Sequence, residues 1–397
     1  MYVLPYWRLS GYYFFYFAFI GAFSPYFGLY LESLSFSAWD IGLLMSQMQL
    51  MRVCAPYLWG ALADRLRRRI AVVRLAALLS LAAFGVVFAA ETFMAMLFAM
   101  ALLAFFWSAA LPLVETVTFD HLREQRGRYS RVRLWGSIGF IVAVMSTGAV
   151  LDRVPLRGLL WVIVATLAGI LVCALLIPEA PLHAASEERR PIGAIIRQRR
   201  VKALFAACFA MSAAHGALYV FFSIHLADHQ YSKLLVGSLW SLGVLAEIVI
   251  FLFMGDLLRR FGLRTLLLAS FAAAIGRFLL IGWGVESLLL IVIAQILHGL
   301  TFGAYHASAI AAVNGWFPGQ YQARGQALYA SVSFGAGGLL GGLVSGATWE
   351  TLGPAPTYTL SSAFALIGLL LVAFAVRSDD FDRRDEQIQP PAAVRKT

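Results

Sequence analysis

Glu115 falls near the end of a long apolar run that begins around Phe93, and Arg133 opens the next apolar run eighteen residues later. A charge at the centre of a bilayer costs about 2.5–3.5 kcal/mol on insertion scales. A carboxylate and a guanidinium that face each other offset much of that cost and still offer donors and acceptors to a polar ligand. The pair therefore suits solute binding; an ion pair that only braces two helices is the alternative. Arg52, in SQMQLMRVC, is a further cation deep in an apolar run. It suits a ligand carboxylate, or else a neighbouring helix or a snorkelling position. In QILHGLTFGAYHAS (295–308), Gln295, His298, Phe302, Tyr305 and His306 recur at the spacing of one helical stripe. Tyr26, Tyr30, Gln47, Gln49, His215 and Tyr219 are further polar candidates for a cavity, and His215 and Tyr219, four apart, share a helix face.

The elements that hold such charges are set by composition. The chain has 397 residues, 61% hydrophobic and 13% charged, with mean hydropathy +0.78. Average soluble domains carry about 25% charged residues. So little charge excludes a soluble globule and makes lipid the solvent. Twelve apolar runs of spanning length are predicted, over 11–31, 40–62, 70–90, 93–119, 133–151, 158–177, 203–226, 235–256, 264–284, 287–313, 327–349 and 357–376. Backbone groups in lipid must bond within their own segment, so the spans are expected to be helices of an all-α polytopic membrane protein.

The 31 Lys and Arg against 21 Asp and Glu do not mark nucleic-acid binding. Most of them fall in loops on the side of the two termini, while Arg153, Arg157 and Lys233 stand alone on the other side. The positive-inside rule then puts both termini in the cytoplasm. The start, MYVLPYWRLSGYYFF, has no short apolar core before a small-residue cleavage site and is expected to remain as the first span. Cys54, Cys173 and Cys208 lie in predicted spans without metal-type spacing and are expected to be packing residues.

Residues 179–200 form the one long polar stretch between spans. They divide the chain into an N-terminal six-helix bundle (1–178), a cytoplasmic linker (179–200), a C-terminal six-helix bundle (201–377) and a charged, proline-bearing tail (378–397) expected to be disordered. The halves repeat. Gly60, Arg65 and Arg69 are matched by Gly255, Arg260 and Arg264, each 195 residues later. Parallel halves of six helices are a transporter architecture with its site at the midplane.

On these residues the chain resembles the major facilitator superfamily, whose loop between the second and third helices reads G-x-x-x-D-R-x-G-R-[KR]. Gly60, Asp64, Arg65, Arg68 and Arg69 match it, with Arg67 in place of the second glycine; the second copy keeps Gly262 and has Arg259 where the first has Asp64. The resemblance implies that Asp64 and its arginines hold a cytoplasmic gate by ion pairs made in one state and released in the other. Glu115, the stretch Arg131-Val132-Arg133-Leu134-Trp135-Gly136 and their spacing resemble lactose permease and its oligosaccharide:proton symporter relatives. There the equivalent pair binds substrate hydroxyls. Phe140 stands where that family has a sugar-stacking tryptophan, which weakens a galactoside reading.

The same likeness carries His298, Arg277 and Glu247 over as a proton-coupling network, with His306 beside it, although Thr301 replaces the family's glutamate. A carboxyl among apolar groups is favoured as the neutral acid, so Glu247 is the first choice to exchange the proton, and His298 or Glu115 the second. The wording LHGLTFGAYHAS with RVRLWGSIGFIVA looks most like the phenylpropionate permease branch.

No G-x-x-x-x-G-K-[ST], H-E-x-x-H or G-x-S-x-G is present, so neither an ATP-driven pump nor a protease or lipase is expected. The expectation is a secondary transporter, not an enzyme, in a bacterial inner (cytoplasmic) membrane. It would take up a small polar or aromatic solute with a proton as coupling ion, without a cofactor or nucleic-acid partner, as a monomer in the lipid bilayer. A proton-driven exporter, a sugar or nucleoside symporter and a non-transporting receptor are the alternatives. Gly338, Gly342 and Gly346 on the eleventh span suit close helix approach, either for sliding or for static packing.

Overall fold

The computed structural model describes residues 4–108, 110–122, 126–179, 192–377 and Asp380. The core of the expected linker (180–191) and the expected tail from 378 on, Asp380 excepted, lie outside the described residues. The first six helices are α1 (Tyr6–Ser33), α2 (Ala38–Leu66), α3 (Arg69–Val87), α4 (Phe93–Leu122), α5 (Tyr129–Leu151) and α6 (Gly158–Leu176). The next is α7 (Arg199–Asp228), followed by a continuous Lys233–Trp283 segment that bends at Gly262 into α8 (233–261) and α9 (263–283). The chain closes with α10 (Leu288–Trp316), α11 (Gln322–Leu352) and α12 (Pro354–Ala375).

Among the described residues, ten segments, the Lys233–Trp283 segment counted once, are long and apolar enough to cross a membrane. The 29-residue α2 is not among them, because Gln47, Gln49 and Arg52 at its centre dilute its apolar character. The helices overrun the predicted spans. α5 starts at Tyr129 rather than 133, since hydrogen bonding continues beyond the apolar length that hydropathy detects.

Within the first six helices α1 packs on α5 and α6, α2 on α4, and α3 on α4 and α6. Within the last six, α12 packs on α7 and α9, where Ser362 donates to Ile275 O. The two sets meet along α1–α7, α2–α11 and α5–α8. Glycine permits the closest approaches. A Cβ on Gly42 would lie 2.8 Å from Gly346 Cα, and one on Gly237 would lie 2.7 Å from Val144 O. Tyr26 adds a buried link between the sets, its hydroxyl 2.8 Å from Val144 O and 3.0 Å from Lys233 O.

These joins gather toward the end of the bundle opposite the chain termini. At the termini end the repeated loops carry no cross-set ion pair among the described residues. Asp64, Arg65, Gly255 and Arg260 are exposed there, nothing lies within 4 Å of a Cβ placed on Gly60 or Gly255, and among the described residues Arg259 pairs only with Asp256, one turn earlier on α8. The protein is thus closed at one end and open at the end of the termini.

The loop repeat extends to backbone conformation but not to side-chain roles. Arg67 and Gly262, 195 apart, both have positive φ, 52° and 72°. Arg67 sits where the resembled loop motif has its second glycine, so an L-residue bears the cost of a left-handed turn. Arg69 pairs with Asp120 of α4 at 2.5 Å, whereas its counterpart Arg264 caps the end of α12 through Val376 O (2.8 Å) and Ala373 O (2.9 Å). In the first set that capping falls to Arg74, which reaches Ala174 O, Leu175 O and Ile177 O at the end of α6.

The two turns predict opposite tolerances. Gly262 has φ 72° and ψ 160°, a region open essentially to glycine alone, with no neighbour to clash with an added Cβ. Gly262→Ala should therefore lower stability by about 1–3 kcal/mol through backbone strain alone. Arg67→Gly should stay within about 1 kcal/mol of the parent, since relief of the left-handed turn offsets glycine's chain entropy. Thermal unfolding of the purified protein tests both, and equal losses would refute the distinction.

Candidate functional site

A buried arginine organises the second set of helices. Arg277, on α9, has no exposed surface. Its Nε donates to Ala294 O at 2.9 Å, its NH1 to Thr301 Oγ1 at 3.0 Å and His215 Nε2 at 3.3 Å, and its NH2 lies 3.5 Å from Gln295 Oε1. All four acceptors are neutral, and no carboxylate reaches Arg277 within ion-pair distance among the described residues. The network fixes the His215 tautomer. Its Nδ1 lies 2.8 Å from Met211 O, which can only accept, so Nδ1 carries the hydrogen. Nε2 is then the lone-pair atom facing a guanidinium that can only donate.

Local helix irregularity places these groups. α7 is interrupted at His215, and α10 passes through a π-helical turn over Gly299–Ala304, one residue after His298. Along α10 the rings of His298, Phe302 and His306 stack at 5.4 and 5.8 Å. Tyr305 turns away from this column toward Cys208 O (3.3 Å), so the predicted stripe divides. His306 Nδ1 is 2.8 Å from the Tyr329 hydroxyl. Glu247 Oε2 lies 3.8 Å from His298 Nε2, and His298 Nδ1 is buried without a partner. The predicted trio is therefore two units: Glu247 with His298, and Arg277 with His215, Thr301 and Gln295.

In the first set the expected pair is not in contact. Glu115 accepts from the Tyr129 hydroxyl at 3.1 Å, and no Glu115–Arg133 ion pair forms within 4 Å. The Arg133 guanidinium instead stacks over Phe17, 3.8 Å from the ring centroid. Arg52 donates to Gln49 at 3.2 Å and lies 5.9 Å from the Trp107 ring, which itself stacks on Tyr16 at 4.7 Å.

Exposure sorts the predicted residues. Arg52, Glu115, Arg133, Tyr219, Glu247 and His306 are half-buried and converge between the two sets. His215, Gln295, Arg277 and His298 are buried behind them; Phe140 and Gln47 are buried as well. Tyr26 is buried at the closed end, joining the sets rather than lining the opening. Both amide atoms of Gln47 and the Trp107 Nε1 lack partners among the described residues. A cavity of about 310 Å³ lies elsewhere, beside Tyr30, Phe88, Glu91 and Arg157 at the closed end. It holds none of the converging charges, and charge and exposure locate the candidate site better than that hollow does.

Sequence reasoning missed Tyr129, Phe17, Tyr16 and Trp107. Tyr129 had a usable signal, since it precedes Arg133 by four residues and so shares its helix face. The aromatic residues had none, because Phe17 and Trp107 look like ordinary apolar span residues until α1, α4 and α5 are packed.

A family model described as the MFS_1 like family matches residues 6–360. A probable 3-phenylpropionic acid transporter of Escherichia coli is 30% identical over 355 residues, covering 87% of this chain and 92% of its own. A maltose permease of Geobacillus stearothermophilus is 28% identical over 383 residues, 93% of each chain. Among solved structures, the nucleoside transporter NupG in its D323A form superposes with a TM-score of 0.82 at 21% identity, covering 93% of this chain and 98% of that one.

The Arg277 hub makes a direct prediction. His215→Phe keeps a ring of similar size but removes one acceptor from a fully buried guanidinium. Stability should fall by about 1–3 kcal/mol. A melting temperature equal to the parent's would show that His215 does not solvate Arg277.

Proposed function

This chain belongs to the MFS_1 like family, a family of transporters, and on that premise we propose that it carries a small aromatic carboxylic acid together with a proton by alternating access. The observation that supports the acid is charge imbalance at the convergence point. Arg52 and Arg133 are half-buried there, and neither has a carboxylate within ion-pair distance among the described residues. A solute carboxylate complements such groups, and guanidinium is the side chain that binds one with paired hydrogen bonds. Phe17 and Trp107 supply rings beside them, with Tyr16 stacked on Trp107. The likeness to a relative named as a probable 3-phenylpropionic acid transporter points the same way.

Proton coupling follows from the acids at the same point. Glu115 on one set and Glu247 on the other are half-buried carboxyls, and neither forms an ion pair with an arginine among the described residues. A solute anion bound at Arg133 adds a further negative charge there. Glu247, beside His298, then takes a proton, and the two negative charges cross as one anion and one neutral acid. With the termini in the cytoplasm of a bacterial inner membrane, the open end faces inward and this is the releasing state. We take the working unit to be a monomer. A sugar or nucleoside symporter is the second reading, favoured by the Tyr129–Glu115 hydroxyl–carboxylate pair and by the maltose and nucleoside permease relatives.

Proteoliposomes with an inward proton gradient decide between them. Labelled 3-phenylpropionate should accumulate while maltose and uridine do not, and Arg133→Ala should lower uptake at least about tenfold. Glu247→Gln should abolish gradient-driven accumulation but keep solute exchange at zero gradient. Accumulation of maltose or uridine in place of the aromatic acid would overturn the acid reading. Gradient-driven uptake by Glu247→Gln would remove Glu247 from coupling.

A further inference from the structure

At the closed end, the ends of two helices from each set meet in a repeated arrangement. The N-terminus of α2 meets the C-terminal end of α11, and the N-terminus of α8 meets the C-terminal end of α5. In both places a carboxylate from one set caps backbone N–H groups of the other. Glu350 Oε1 accepts from Ala38 N at 2.7 Å; Asp152 accepts from Lys233 N at 2.8 Å and Leu234 N at 3.0 Å. We propose that Asp152 and Glu350 are paired latches, carboxylates that hold this end shut by capping α8 and α2 and that release when the protein opens there.

The surrounding residues repeat with the latches. The N-caps Ser37 and Ser232 are 195 apart, as are Gly42 and Gly237. Gly148 and Gly346 are 198 apart, as are Asp152 and Glu350. A Cβ on Gly346 would come within 2.9 Å of Ala38 O, and one on Gly148 within 2.9 Å of Lys233 C. Each small residue sits one helical turn before its carboxylate and lets the facing helix start come close enough for the carboxylate to reach its amides. A helix presents unsatisfied N–H groups and a partial positive charge at its start, so a carboxylate there is favourable both as acceptor and as charge. Water can replace either cap once the helices part. Both bonds are partly or fully exposed, which keeps such contacts weak enough to exchange.

The two latches are not equal. α2 carries its own capping box, with Asp40 N bonded to Ser37 Oγ and Ser37 N to Asp40, so losing Glu350 orphans one N–H. α8 has no acidic residue in its first turn; Ser232 covers only Leu235 N, and Asp152 alone covers the other two. The Asp152 latch is therefore the dominant one.

The inference uses the alternating-access part of the proposed function and is tested without any solute. Nitroxide labels at Val154→Cys and Glu286→Cys, in a background with Cys54, Cys173 and Cys208 replaced, report the separation of the two sets at this end by pulsed electron resonance in nanodiscs. Asp152→Asn should raise the ratio of long to short separations roughly three- to tenfold, Glu350→Gln should raise it less, and the double variant should approach the product. Unchanged distributions in both single variants and the double overturn the latch. A larger effect from Glu350→Gln overturns the assigned dominance. Uptake lost for every solute while the distances shift as expected would count against the proposed function and leave the latch standing.

Discussion

A guanidinium with no exposed surface must be solvated by the protein that encloses it, and Arg277 is enclosed completely. Uncompensated burial of such a charge costs several kcal/mol, so its surroundings are fixed by the need to supply acceptors. They come from three directions: the interrupted turn of α7 at His215, the backbone and Gln295 of α10, and Thr301 inside the π-helical turn. Each of those irregularities would weaken a helix without a purpose, and each puts an acceptor on Arg277. Because the acceptors are all neutral, the cation keeps its charge without holding a carboxylate. That leaves Glu247 free to sit toward the opening beside His298.

The two sets of helices share a plan and spend it differently. At the closed end the repeat is close: serine N-cap, glycine contact and carboxylate cap recur in both helix pairs. At the centre it is lost. The first set leaves Arg52, Glu115 and Arg133 half-buried, while the second buries Arg277 and leaves Glu247 and His306 half-buried. A pseudo-symmetric frame can rock about its centre because its ends are alike.

Arg133 is the cation on which this picture turns. It pairs with neither glutamate and stacks on Phe17. A cation held by a ring rather than by a carboxylate retains its capacity to bind an anion. The interaction with Phe17 steadies the side chain without neutralising it.

The sequence by itself determined that the chain is a twelve-helix membrane protein built from two related sets, because apolar length, helix-only hydrogen bonding in lipid and a 195-residue repeat are all local or periodic properties. It also marked most of the charged residues that converge, since a charge inside an apolar run is conspicuous wherever it points. It did not determine which of them touch. The pairing of Glu115 with Tyr129 instead of Arg133, the division of Glu247, Arg277 and His298 into two units, and the burial of Tyr26 between the sets depend on helix rotation and on contacts between segments far apart in the chain. Hydropathy carries no information about rotation around a helix axis when both faces are apolar. Only the packed structure, through its glycine contacts and its two helix breaks at His215 and Gly262, decides which side chain meets which.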